Sequence, residues 1–415
     1  MDDGINSRVV IVGAGHAGGS VAAFLRQSGH QGDIVLLGDQ PYPPYQRPPL
    51  SKAYLKNEVD AESLKLRADN FYAEQNIAFR PGVTVITIDR AGQRVQLDGG
   101  GTETYDYLIL ATGSRARRLG LPGEDAPNVH LLTSIADADA LRGALPPGQR
   151  LAIIGGGYVG LEVAASARKL GADAVIVERE SRLLARVACE PLSDFFRDYH
   201  RGHGVEILTS AIIQSLEYDT RGRVCAILLA DGRRVACDAV LVGIGALPRD
   251  ELAAAAGLAC DGGIVVDAQA RTSDPRIFAI GDVTRRPLFH YDNRMVRLES
   301  VPNAIEQGKQ AASAILQRPA PQPEVPWFWS DQFDIKLQIA GMPLDSDRFV
   351  IRGDPASDHF AVFHMKNDQV RAVEAVNAPS EFLAGRQLIA SGRPIASARL
   401  QDLTVTMKQL AAESA

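Results

Sequence analysis

A strand, a glycine-rich turn and a helix occur in the same order twice in this chain, and that duplication narrows the folds open to it. Residues 8–39 read RVVIV, GAGHAG, an alanine-rich helix and DIVLLGD. Residues 150–178 repeat the plan as RLAII, GGGYVG, LEVAASARKLG and DAVIVE. Each strand is a continuous apolar run, as expected of a strand buried on both faces of a parallel sheet. Two such βαβ starts predict two dinucleotide-binding modules, and so two nucleotide ligands, or one ligand and a relic.

The first module does not finish locally. YDYLILATG (105–113) reads as a buried strand ending in a Thr-Gly turn, and RIFAIGDV (276–283) as another ending in Gly-Asp. The second module lies between them and closes with AVLVGIGALP (239–248). It is therefore expected to be inserted into the first. Pro319, Pro321, Pro323 and Pro326 mark a linker. After it, DIKLQIAG, DRFVIRG, HFAVFHMK and QVRAVEAV predict four antiparallel strands, followed by a helix over 379–391. The expected fold is α/β: two Rossmann-like domains and a small α+β tail. The predicted bounds are 1–115 and 244–325 for the outer module, 116–243 for the inserted one and 326–415 for the tail.

At 415 residues the chain is long enough for this arrangement. A net charge of -6 argues against wholesale nucleic-acid binding. No apolar run approaches the ~18 residues of a membrane span. The opening MDDGINSR has no apolar segment, so no signal peptide is expected and the cytoplasm is the expected compartment. Cys189, Cys225, Cys237 and Cys260 are scattered, without CxxC or metal-ligand spacing. Four reduced thiols and no metal are expected.

In the first loop, Gly13 permits a sharp turn, Gly15 lets a pyrophosphate approach the backbone, and Gly18 lets helix and strand pack closely. The helix N-terminus supplies N–H donors for phosphates. Asp39, 21 residues beyond Gly18, is placed to accept from a ribose hydroxyl. Asp282 after Gly281 either forms a turn or accepts from a ribityl hydroxyl, which a flavin has and NAD lacks. With the Ala111-Thr112-Gly113 turn it assigns FAD to the outer module. The second loop, with Gly155, Gly157 and Gly160, should hold the pyridine nucleotide. Glu178 closes its second strand, and a carboxylate there favours NADH over NADPH. Arg179 beside it pulls the other way. Glu162 either faces the helix dipole as an ordinary acid or faces the nicotinamide.

Between the first βαβ start and the ATG strand lies PYQRPPLSKAYL. Pro48-Pro49 and Ser51 predict a helix start with Lys52 on it, where a cation is electrostatically out of place. That points to an anionic partner; the alternative is an exposed lysine. No cysteine precedes Cys189, so the thiol relay of a flavin disulfide reductase has no candidate in the flavin-proximal stretch. Arg285, Arg286, Arg294 and Arg297 form a basic loop, either solvated or suited to docking an acidic protein.

Nearly the whole chain resembles the FAD-dependent ferredoxin reductases of oxygenase systems. The resemblance rests on GAGHAGG, RPPLSKAYL, LILATGSRAR, IIGGGYVGLEVAA, LLARV, RTSDPRIFAIGDV, RLESVPNAIEQG and VPWFWSDQFDIKLQ. It implies hydride transfer from a nicotinamide to FAD and single-electron transfer to a 2Fe–2S ferredoxin. That ferredoxin would in turn supply a cytochrome P450 or a ring-hydroxylating dioxygenase. The resemblance assigns FAD contacts to Gly15, Asp39, Arg47, Lys52, Val85, Asp282 and Val301. It puts Lys52 and Glu162 at the flavin–nicotinamide contact and Trp329 near the isoalloxazine, where Trp327 or Trp329 alternatively serves interface packing. Leu132 stands where many relatives carry a flavin-contacting arginine, so that contact is expected to be lost. Two other readings compete: an NADH oxidase or disulfide reductase of the same superfamily, and an NADH-sensing flavoprotein like apoptosis-inducing factor.

Overall fold

The structure, a computed structural model, describes residues 4–413. It resolves into two compact units. The first comprises Met1–Gln46, Leu64–Arg115 and Leu247–Pro326; the second comprises Arg47–Ser63, Ala116–Ala246 and Trp327–Ala415.

The first unit is built on a parallel sheet in the order Ile277–Ala279, Tyr107–Leu110, Val9–Val12, Ile34–Gly38, Ile77–Pro81. Side chains alternate across a strand, so each strand serves two layers. Val9 and Ile11 face the helices His16–Gln27 and Val301–Ile315 in one apolar cluster, together with Val21, Leu25 and Ala311. Val10 and Val12 face the other way, into a cluster with Val95 and Leu97 of a small antiparallel sheet. This double burial explains the unbroken apolar runs. The last strand of the sheet, Ile277–Ala279, pairs parallel with Tyr107–Leu110 although the whole second module intervenes in sequence.

The second unit repeats the design. Its parallel sheet runs Val205–Leu208, Asp173–Val177, Arg150–Ile154, Ala239–Val242, Val129–His130. Helix Tyr158–Lys169 covers one face, where Leu161 and Val163 join Leu151 and Ile153 in the core. The same cluster takes in Ile335, Leu337, Phe360 and Val376 of the C-terminal sheet, so the tail shares its core with the inserted module.

That tail sheet has five antiparallel strands rather than the expected four, in the order Trp327–Gln332, Ile335–Gly341, Gln369–Val376, His359–Lys366, Arg348–Asp354. The unforeseen strand is WFWSDQ, which pairs in full with Ile335–Gly341 from Trp327↔Ala340 to Gln332↔Ile335. Its ends hid it: a proline-rich linker precedes it, and a Phe333–Asp334 turn follows, with Phe333 at φ 56°. Helix Pro379–Ser391 packs on the sheet where expected, with Gly385 against Val373. Among the described residues no helix is long and apolar enough to cross a membrane.

Candidate active site

Both glycine loops are shaped by contacts that only glycine allows. In the first unit Gly13 has φ +109°, and a Cβ there would lie 2.2 Å from the Ala111 carbonyl oxygen. A Cβ on Gly18 would lie 1.9 Å from the Gly13 carbonyl oxygen. The strand Val9–Val12 thus turns directly into helix His16–Gln27, whose N-cap is Gly15, with no capping side chain and no acid in the first turn. Uncapped N–H groups and an uncompensated positive dipole end suit a phosphate. At the same edge, Asp39 follows strand Ile34–Gly38 and is ion-paired at 2.9 Å with Arg249, a residue the sequence did not single out. Arg249 is anchored through its backbone: its carbonyl accepts from Thr112 Oγ1 at 2.8 Å, and its N–H donates to the Gly113 carbonyl.

Asp282 sits in a single 3-10 turn, Gly281–Val283, and is half-buried. Gln307 fixes this turn from helix Val301–Ile315: its Oε1 accepts from the Gly281 N–H at 2.8 Å and from Thr284 Oγ1 at 2.9 Å. Val301 opens that helix, capped by Ser300 Oγ. Val85 begins the edge strand Val85–Asp89. The structure therefore gathers Gly13, Gly15, Gly18, Asp39, Ala111, Val85, Asp282 and Val301 into one unit.

The second loop has the same mechanics. Gly155 has φ +108°, and its Cβ would meet the Gly243 carbonyl oxygen at 2.5 Å; that of Gly160 would meet the Gly155 carbonyl oxygen at 2.2 Å. Gly157 is the N-cap of helix Tyr158–Lys169, again with no side-chain cap and no acid in the first turn. Glu178 is held in place by two backbone donors, the Gly156 N–H at 2.6 Å and the Glu180 N–H at 2.7 Å. Arg179 is exposed and turned to Glu180 at 3.0 Å.

Glu162 is not an acid of the first helical turn. It lies one turn further in, 5% exposed, and three side chains converge on its carboxylate. Lys52 Nζ is 2.7 Å from Oε2; Ser51 Oγ donates to Oε2 at 2.5 Å, and Ser330 Oγ to Oε1 at 2.6 Å. The dipole reading of Glu162 is thereby replaced: burial of a carboxylate demands paired charge and hydrogen bonds, and these are supplied here. The helix expected to start at Lys52 is absent as well. Pro48–Ser51 forms one 3-10 turn, Lys52 leaves it at φ -126°, ψ -111°, and isolated turns follow. The Ser51 hydroxyl is committed to Glu162 instead of capping a helix, and Lys52 is held by that carboxylate and by the Pro48 carbonyl at 3.1 Å.

The network runs deeper than the sequence showed. Gln332 Nε2 donates to Ser330 Oγ at 3.1 Å, and Gln332 Oε1 lies 2.8 Å from His200 Nε2. Burial pushes the His200 imidazole down to about 4, so it is neutral and can donate from Nε2 to that amide oxygen. Strand alternation turns Phe328, Ser330 and Gln332 toward helix Tyr158–Lys169, where Phe328 meets the Tyr158 ring at 4.9 Å. Trp327 and Trp329 share the opposite face, their rings 5.7 Å apart, and Trp327 packs on Phe382. Arg47 is exposed and donates to the Thr133 carbonyl, while Leu132 packs against the core.

The expected basic loop is a short hairpin, and most of its charge is spent. Arg286 is buried and paired with Glu306 at 2.8 Å, Arg285 pairs with Asp261, and Arg297 with Glu299. Only Arg294 of the four is exposed without an acidic partner among the described residues. The basic patch expected from the sequence is corrected to one residue.

Two dinucleotide cradles in one chain, one of them beside a lysine paired with a buried carboxylate, define a two-nucleotide oxidoreductase. Comparisons agree. Residues 7–308 match the pyridine nucleotide-disulphide oxidoreductase family, and residues 327–411 match the reductase C-terminal family. The chain is 54% identical over 98% of its length, and 99% of the relative's, to the probable ferredoxin reductase CtmF of Castellaniella defragrans. It is 44% identical to putidaredoxin reductase CamA of Pseudomonas putida, over 98% of this chain and 97% of that one. Its fold matches the crystal structure of the covalent putidaredoxin reductase–putidaredoxin complex with a TM-score of 0.96 and 42% identity, covering 99% of each chain. The chain belongs to the pyridine nucleotide-disulphide oxidoreductase family, among its ferredoxin reductases. Membership implies a flavin and a nicotinamide nucleotide.

Proposed function

We propose that this protein is a cytoplasmic reductase that carries electrons from NADH through non-covalent FAD to a 2Fe–2S ferredoxin serving a cytochrome P450 or a ring-hydroxylating oxygenase. The observation that carries the reading is the ion pair between half-buried Lys52 and buried Glu162, the latter on the helix that opens at the second glycine loop. The relatives' names supply the acceptor. FAD, when bound, takes a hydride and gives up its electrons singly, which couples a two-electron donor to a one-electron carrier.

The chain's own residues bind and orient. Gly13, Gly15 and Gly18 with the N-terminus of helix His16–Gln27 would hold the FAD pyrophosphate, Asp39 its ribose and Asp282 its ribityl chain. Gly155, Gly157 and Gly160 would hold the NADH pyrophosphate. Glu178 would accept from the adenosine 2′-hydroxyl and repel a 2′-phosphate. Glu162 fixes the Lys52 ammonium, and Ser330, backed by Gln332 and His200, fixes Glu162. Hydride transfer needs placement and charge rather than an acid or base, so Lys52 and Glu162 act by orientation. Trp329 is assigned to the cofactor side of the tail, and Trp327 to packing.

All four cysteines are free, and none lies in the segment that carries Lys52. This favours direct electron exit over a thiol relay. Anaerobic NADH should therefore bleach the flavin absorbance, and adding a 2Fe–2S ferredoxin should start rapid cytochrome c reduction. Equal NADH consumption in air without ferredoxin would make the protein an oxidase instead. NADH should exceed NADPH in kcat/KM, and Glu178→Ala should narrow that ratio by roughly tenfold, as loss of a hydrogen bond to a charged group implies. Steady-state kinetics with both coenzymes measure this, and an unchanged ratio would remove Glu178 from the selection.

A further inference from the structure

Cys189, His364 and Glu374 take no part in the site described above, yet they meet inside the second unit. His364 and Glu374 stand on the paired strands His359–Lys366 and Gln369–Val376. The register His364↔Ala372 and Val362↔Glu374 makes them diagonal neighbours on one face. Cys189, the N-cap residue of helix Glu190–Gly202, comes down on that face. Its Sγ lies 2.8 Å from Glu374 Oε2, and His364 Nε2 lies 3.4 Å from the same oxygen. One donor atom from each residue falls within 4.8 Å of the other two.

Glu374 accepts from the Cys189 N–H and thiol but lacks a countercharge, and His364 Nε2 lacks a hydrogen bond. Glu374 is 1% exposed, and no lysine or arginine among the described residues pairs with it. A buried carboxylate of this kind calls for a compensating cation. His364 is 7% exposed, and its Nε2, aimed into the cluster, makes no hydrogen bond. A histidine–glutamate ion pair would close that gap to hydrogen-bonding distance, and at 3.4 Å it is not closed.

We propose that Cys189, His364 and Glu374 bind a divalent transition-metal ion, Zn2+ being the ion that suits their donor set. Sulfur, imidazole nitrogen and carboxylate oxygen are the zinc ligands of proteins. Tetrahedral zinc with bonds of about 2.0–2.3 Å sets its ligand atoms roughly 3.3–3.6 Å apart. The His364–Glu374 separation already has that value, and the Cys189–Glu374 contact must widen by less than about 1 Å. Binding replaces the thiol proton, which leaves to solvent, by a sulfur–zinc bond, with no change in oxidation state. Thiolate, carboxylate and Zn2+ then sum to zero charge, which removes the cost of the buried carboxylate. A water completes the fourth position. The ion would staple the start of helix Glu190–Gly202 to the C-terminal sheet. Spacing along the chain gives no hint of it, because Cys189 and Glu374 are 185 residues apart.

The test uses untagged full-length protein carrying its flavin, stripped of metal by chelator dialysis. Titration with Zn2+ against a chromophoric chelator should show one tight equivalent per chain. Co2+ should give tetrahedral bands in the red, clear of the flavin absorbance. Cys189→Ser should abolish those bands, and His364→Ala should weaken Zn2+ binding by more than roughly tenfold, since even the loss of an outer-shell partner costs that much. Flavin content of each variant reports whether it folds. In the unmutated protein, Zn2+ should slow alkylation of Cys189 by iodoacetamide and leave Cys225 and Cys260 unaffected. Less than half an equivalent of Zn2+ bound, or alkylation of Cys189 indifferent to Zn2+, overturns the proposal and leaves the cluster an ion pair with a neighbouring thiol.

Discussion

Lys52→Gln is expected to slow flavin reduction by NADH by roughly 10²-fold while FAD stays bound, the loss typical of a reacting group displaced by about 1 Å. The side chain is 16% exposed and fixed by Glu162 and the Pro48 carbonyl, so its ammonium has one position. Glutamine can still donate to Glu162, which limits the damage to folding. It leaves the buried carboxylate without a countercharge. Anaerobic stopped-flow at increasing NADH separates the limiting rate from the apparent dissociation constant. The limiting rate should fall more than affinity, and Lys52→Arg should recover part of it. An unchanged limiting rate would make Lys52 a structural ion-pair partner only.

The second large effect concerns cofactor retention. Asp282→Ala should yield protein with a severalfold lower ratio of flavin to protein absorbance and FAD bound roughly 10- to 100-fold more weakly, the loss expected from a charged acceptor's hydrogen bond. The turn should survive the substitution, since Gln307 and Thr284 hold it through Gly281. Asp282→Asn keeps an acceptor and should retain most of the flavin. Full FAD content in Asp282→Ala, measured after ultrafiltration, would return Asp282 to the role of a turn residue.

The sheets and the two loops were legible because their causes are local. A strand buried on both faces must be apolar throughout, and a turn into a helix where a Cβ would lie 2.2 Å (Gly13) or 2.5 Å (Gly155) from a carbonyl oxygen must be glycine. Glu162 was legible as the partner of Lys52 only through the resemblance, since the residues alone left it even with a dipole-facing acid; its other partner Ser51 is 111 residues away and was not foreseen. Ser330, Gln332 and His200 gave no signal of their own; a polar residue in a strand is usually on its wet side. The usable hint was the period of two in WFWSDQ, which sets Ser330 and Gln332 on one face with Phe328, away from Trp327 and Trp329. The basic loop misled for the complementary reason. Four arginines are visible in sequence, but Asp261 and Glu306, which neutralise two of them, lie outside the loop.

The chain passes between its two compact units five times, at 46/47, 63/64, 115/116, 246/247 and 326/327. On the ribosome this becomes a matter of timing. Ser330 is synthesised 168 residues after Glu162. At about 5–20 residues per second, that is a wait of roughly 8–34 s. Throughout it the nascent chain already contains the second glycine loop, Lys52 and Glu162, but not the strand that shields the carboxylate. Nor does it yet hold Ile277–Ala279, the edge strand of the first sheet, for much of that time. The first unit cannot close before residue 326 is made, and the second waits for the residues from Trp327 onward, so the two complete in that order.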